Sequence, residues 1–109
     1  MENLSTNEST IACALTALNA EQRARRQALA QRMHAVTQEI CELPDGYAFR
    51  FSADPALCLT VAEFMTLERL CCPFFTFALQ MESEGGAMWL RLTGRDGVKQ
   101  FLQAELDIE

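Results

Sequence analysis

Positive charge is scarce in this chain: nine lysines and arginines face fifteen aspartates and glutamates, for a net charge of −6 over 109 residues. A protein that grips nucleic acid displaces counterions from phosphates with a basic face, so that class of partner is not expected. Long hydrophobic runs are also missing, and no stretch reads as a membrane span. Met1–Thr10 is polar and acidic, with no positive start leading into an apolar run, so no secretory leader is expected and the cytoplasm is the expected location. With a single histidine, His34, there is no His-rich zinc pattern, and neither a glycine-rich phosphate loop nor a serine elbow occurs. Five cysteines is an odd count in a chain with no sign of export, so reduced thiols are expected in place of a disulfide scaffold.

What is present is an ordinary globular composition, half of it hydrophobic, enough for one core over residues 11–109 behind a frayed segment 1–10. Ile11, Cys13 and Leu15 would share one face of a short edge strand. Asn19 and Gln22 form a capping box at the start of a helix over residues 20–33, whose thin apolar stripe is chiefly Leu29 and Met33, flanked by Arg25, Arg26 and Arg32. Pro44-Asp45-Gly46 turns the chain between extended runs at 36–43 and 47–51. Asp54 and Pro55 start a second helix that Pro73 must stop, predicting residues 55–71. Alternation in Phe75, Phe77, Leu79 and Met81, then Gly85-Gly86, then Met88, Leu90 and Leu92, reads as a second hairpin. Thr93 and Asp96 can cap a last helix that buries Val98, Phe101 and Leu102. The fold class is therefore α+β: an antiparallel sheet of four to five strands from two β-hairpins, with about three helices packed largely on one face.

The chemistry concentrates in the second helix. Advancing 100° per residue from Leu57, the residues Val61, Phe64, Met65, Glu68, Cys71 and Cys72 fall within about 80° of one line. A carboxylate amid an apolar stripe needs a cation, a metal or a proton, and Arg25, Arg26 and Arg50 are the available partners. Cys71 and Cys72 stand three and four residues beyond Glu68, and Cys13 is an available third thiol. Soft ions such as Hg(II), Cu(I) and As(III) choose two or three sulfur ligands and drive their deprotonation. A thiol at a helix carboxyl terminus is opposed by the dipole when it ionises alone, which handicaps a free nucleophile more than a metal ligand. Cys41 and Cys58 read as isolated fill, and His34 as a partner of its helix's last carbonyls.

At Glu68-Arg69-Leu70-Cys71-Cys72-Pro73-Phe74 the chain resembles a group of small, uncharacterised bacterial proteins that carry Glu-Arg-x-Cys-Cys-Pro-Phe. The likeness extends over Leu43-Pro44-Asp45-Gly46-Tyr47 and Leu92-Thr93-Gly94, and it implies a shared domain without implying an activity. The vicinal cysteines are also similar, as chemical analogy over two residues, to the pairs by which mercury-handling proteins pass Hg(II) between thiols.

The leading expectation is a cytoplasmic binding protein for a soft metal or metalloid, with Cys71, Cys72 and Cys13 as ligands and Glu68 as an acceptor behind them. A first alternative is a thiol redox enzyme that cycles Cys71-Cys72 through a strained vicinal disulfide. A second is an interaction module with merely buried thiols, forming a homodimer through Leu59 and Leu70, which project at about 200° and 220° on the same wheel.

Overall fold

The computed structural model describes residues 9–106. The order is α1 (Ala20–Val36), β1 (Glu39–Leu43), β2 (Gly46–Phe51), α2 (Pro55–Cys71), β3 (Thr76–Met81), β4 (Met88–Thr93) and α3 (Val98–Leu106), with a 3-10 turn at Leu15–Ala17 before α1. The strands form one antiparallel sheet in the order β1-β2-β4-β3, an α+β fold built from two hairpins joined through β2 and β4. Among the described residues no helix is long and apolar enough to cross a membrane.

Local chemistry sets most boundaries. Asn19 Oδ1 accepts from the Gln22 amide at 2.8 Å while Gln22 Oε1 accepts from the Asn19 amide at 2.9 Å, satisfying two donors that a helix start leaves open. The helix then runs three residues past Met33, to Val36, and Thr37 Oγ1 donates to the Met33 carbonyl at its end. Asp54 caps α2 through the Leu57 amide at 2.9 Å, with Pro55 at the first helical position.

Gly46 is demanded by close approach, because a Cβ there would lie 1.9 Å from the Leu92 carbonyl oxygen across the β2–β4 pairing. Tyr47, Phe49 and Phe51 pair with Leu92, Leu90 and Met88, and all six are buried on one face of the sheet. Arg50, pointing the other way, is exposed. From α2 the buried set is Leu57, Val61, Phe64, Glu68 and Cys71, recurring at helical spacing. Each fully buried apolar side chain of this kind contributes roughly 1.5 to 3 kcal/mol.

Two expectations are corrected. Residues 11–16 form no strand, because the amide of Ala14 bonds the Cys71 carbonyl at 2.9 Å and the chain then tightens into the 3-10 turn; the sheet has four strands. Thr93 is no cap, since it continues β4 opposite Gly46 and Thr76, and α3 opens only at Val98 after a left-handed Gly97. Val98 and Leu102 are buried as expected, and Phe101 is half-buried. The segment expected to fray lies outside the described residues except for Ser9 and Thr10, whose carbonyls accept from Arg95 and Ala12.

Candidate metal centre

Proline has no amide hydrogen and its ring clashes with the preceding turn, so Pro73 brings α2 to an end. Cys71 is its last helical residue, and Cys72 is the cap (φ −130°, ψ 66°), its amide bonded to the Glu68 carbonyl at 2.7 Å. The vicinal thiols therefore leave two different backbone conformations. Their sulfurs stand 3.8 Å apart. Cys13 arrives from the segment tied to Cys71 by the Ala14 amide, and its sulfur lies 2.8 Å from that of Cys72. All three sulfurs lie within 4.8 Å of one another, with Cys71 and Cys72 fully buried and Cys13 half-buried.

Glu68 is 6% exposed, the single charged residue buried among the described residues. Its Oε1 accepts from Arg26 Nε at 2.6 Å, and the Cys71 thiol lies 3.7 Å from the same oxygen. Of the three arginines expected as partners, Arg25 instead makes two exposed bonds of 2.8 Å to Glu63, and Arg50 lies 3.9 Å from Glu39. Arg26 Nη2 also reaches Cys13 Sγ at 3.9 Å, and its guanidinium stands over the Phe64 ring at 6.0 Å. One ion pair thus touches two of the three thiol-bearing residues.

Electrostatics keeps the thiols of Cys71 and Cys72 protonated when nothing is bound. Burial first, and then the charge of Glu68, push Cys71 up from its ordinary range. Burial, the hydrogen bond with Cys13 and the Glu68 charge push Cys72 up as well. Burial works to lower Arg26, but the hydrogen bond and charge of Glu68 outweigh it and hold the guanidinium charged. Thiols raised in this way make poor free nucleophiles, and the three sulfurs lie close enough together to hold a metal ion, whose positive charge would drive deprotonation.

Cys41 and Cys58 stand apart from the cluster. Cys41 donates to Glu39 Oε2 at 3.2 Å on β1, and Cys58 is half-buried on α2. Leu59 and Leu70 are 73% and 49% exposed, on the side of α2 away from the core. The β1–β2 turn, the end of β4 and the segment after Pro73 come together: Gly94 donates to the Asp45 carbonyl at 3.2 Å, and a Cβ on Gly94 would lie 3.0 Å from the Phe74 carbonyl.

Sequence reasoning missed a cavity of about 280 Å³ beside the thiols. Cys13, Arg26 and Glu68 stand at its wall together with apolar residues of the sheet and of all three helices, and His34, left out of the site on sequence grounds, lines it too. Exposed His34, Ile40, Glu105 and Leu106 mark where it meets solvent. No periodicity in one element signals a space bounded by six. No family model, no curated protein and no solved structure matches the chain.

Proposed function

We propose that this protein binds a soft metal or metalloid ion through Cys13, Cys71 and Cys72, and that trivalent arsenic is the ion that suits the site best. The observation that carries this reading is the convergence of three sulfurs from two distant parts of the chain to within 4.8 Å. Three sulfurs on one ion, with metal–sulfur bonds of about 2.3 Å, sit roughly 3.5 to 3.8 Å apart. The Cys71–Cys72 separation of 3.8 Å fits this spacing, and the Cys13–Cys72 separation of 2.8 Å would have to open by about 1 Å. Cys13 lies on an irregular segment before α1, which gives more readily than a helix end.

Charge and proton balance choose among the soft ions. Arsenous acid reacts with three thiols to give a neutral tris-thiolate and three waters, with each thiol proton leaving in a water. Cu(I) on two thiolates carries a net negative charge, which a buried site beside Glu68 disfavours. Hg(II) on two thiolates is neutral and would use only part of the triad. Before the ion binds, Glu68, already neutralised by Arg26, accepts from the Cys71 thiol and orients it. Reduced thiols at this density suit a reducing compartment such as the cytoplasm.

One observation favours a second reading. Cys13 and Cys72 are nearer to each other than the vicinal pair is, so an oxidant such as a disulfide would cross-link Cys13 to Cys72, taking up two electrons and two protons, in place of a vicinal bridge. Native mass spectrometry of the reduced protein separates the two. One arsenic per chain, lost on Cys72→Ser, supports the metalloid site. Unaltered mass with arsenite, together with ready loss of two hydrogens on exposure to oxidised glutathione, supports the redox reading.

A further inference from the structure

The thiol cluster and the cavity share a residue. Cys13 belongs to the triad and also lines the 280 Å³ space, so a group bonded to an atom held on Cys13 has an adjoining compartment to enter. The walls there are apolar, drawn from Ala30, Phe49, Phe64, Phe101 and Leu102. The two charged residues at the thiol end, Arg26 and Glu68, are bonded to each other and offset one another there, while the remaining carboxylate of the lining, Glu105, is exposed at the mouth. An apolar cavity of about 150 Å³ is enough to hold a benzene ring, so a ring-sized substituent has room with space left for its link to the thiols. Inorganic arsenic would leave this space unused.

We propose that the ligand is an organic arsenical of the trivalent state carrying one small aromatic or otherwise apolar substituent, the arsenic held by Cys13 and Cys72 and the substituent lodged in the cavity. This rests on the thiol reading above. The step balances without redox change: R–As(OH)2 and two thiols give R–As(SR)2 and two waters, two As–O bonds and two S–H bonds breaking as two As–S bonds and two O–H bonds form. Because one valence of the arsenic is already taken by carbon, only two sulfurs are needed. Cys13 and Cys72 are the two sulfurs already in contact, and the carbon substituent is left on the side that Cys13 opens to the cavity. Cys71 keeps its proton and its hydrogen bond toward Glu68.

The test compares three probes on the reduced full-length protein, each in competition with a small dithiol: arsenite, methylarsenous acid and phenylarsine oxide. The phenyl compound is expected to bind tighter than the methyl compound by on the order of a hundredfold, from the additional apolar surface removed from water. Ala30→Phe, which fills the cavity from α1, is expected to abolish that preference while leaving arsenite affinity unchanged. Equal binding of the phenyl and methyl compounds by the parent protein, with arsenite still bound, would overturn the cavity's role and leave the thiol site intact. Failure of all three to bind would remove both. Should Ala30→Phe not fold, 4-fluorophenylarsine oxide on the parent protein decides the matter by fluorine NMR. Contacts from the fluorinated ring to protons of Phe49 and Phe64 support the cavity, and a ring signal unchanged from the free dithiol adduct contradicts it.

Discussion

Replacing Arg26 with Met removes the guanidinium while keeping most of the apolar stem, and it leaves Glu68 as an uncompensated buried carboxylate. The Arg26–Glu68 contact is 2.6 Å long, with side chains 21% and 8% exposed, so water screens the arginine side only slightly. Two unit charges about 4 Å apart attract by roughly 4 kcal/mol at an effective dielectric near 20, and breaking a buried pair from one side typically costs about 3 to 5 kcal/mol. A loss of about 3 kcal/mol is expected at pH 7, out of a total that for a domain of this size is about 5 to 15 kcal/mol. Urea unfolding of the reduced, metal-free protein reads it directly. Glu68→Leu alone strands the more exposed partner and should cost less. The double variant, with apolar groups on both sides, should return to within about 1 kcal/mol of the parent, because a buried pair and a packed apolar pair are nearly equivalent. A cost below about 1 kcal/mol for Arg26→Met, or single costs that simply add in the double variant, would refute the reading of Glu68 as a carboxylate held by this one arginine.

Cys13→Ser, Cys71→Ser and Cys72→Ser should each weaken arsenite binding at least tenfold, about 1.4 kcal/mol or more, whereas Cys41→Ser and Cys58→Ser leave it unchanged; equilibrium dialysis distinguishes them. With the thiols of Cys71 and Cys72 raised by burial, the unfolded chain ionises first as pH climbs. Stability from these groups is therefore intact below about pH 8.5 and lost as pH rises toward their folded values, a decline that Cys72→Ser should reduce in denaturant melts. Hg(II) binding, which must release the thiol protons, should tighten with pH across the neutral range, while arsenite binding, which releases them as water, should stay flat. Gly46→Ala should lower the unfolding free energy read from urea melts by roughly 3 kcal/mol, since the new Cβ would meet the Leu92 carbonyl at 1.9 Å. If a pair of copies hides Leu59 and Leu70, replacing both with Glu should shift a dimer to a folded monomer on a sizing column.

Much of the fold was legible because its boundaries are written in residues with one local meaning. Asp54 and Pro55 can only open a helix well, Pro73 can only end one, and Pro44-Asp45-Gly46 between apolar runs gives a hairpin. In the segment before α1, Ile11, Cys13 and Leu15 alternate as a strand would, while the backbone bond that decides its shape goes to Cys71, more than fifty residues away. Thr93 satisfied a capping pattern, yet pairing with Gly46 held it in the sheet, a tertiary contact outweighing a local preference. Within the site, the stripe placed Glu68 among buried neighbours and required a cation, but Arg25 and Arg26 are adjacent in sequence and only the rotation of α1 against α2 distinguishes them. No local signal in the sequence fixes Cys13 as the third thiol, because its approach to Cys72 is a tertiary contact. The cavity had no signature at all, since its walls come from separate elements that pattern reasoning treats one at a time.

X-ray absorption at the arsenic edge, on reduced protein loaded with one equivalent of arsenite and desalted, tests the central claim most directly. Three sulfur neighbours and no oxygen around the arsenic, falling to two or fewer in Cys13→Ser, are the expected result. An arsenic that washes off on desalting, or one that keeps an oxygen shell, would contradict the assignment of Cys13, Cys71 and Cys72 as a single binding site.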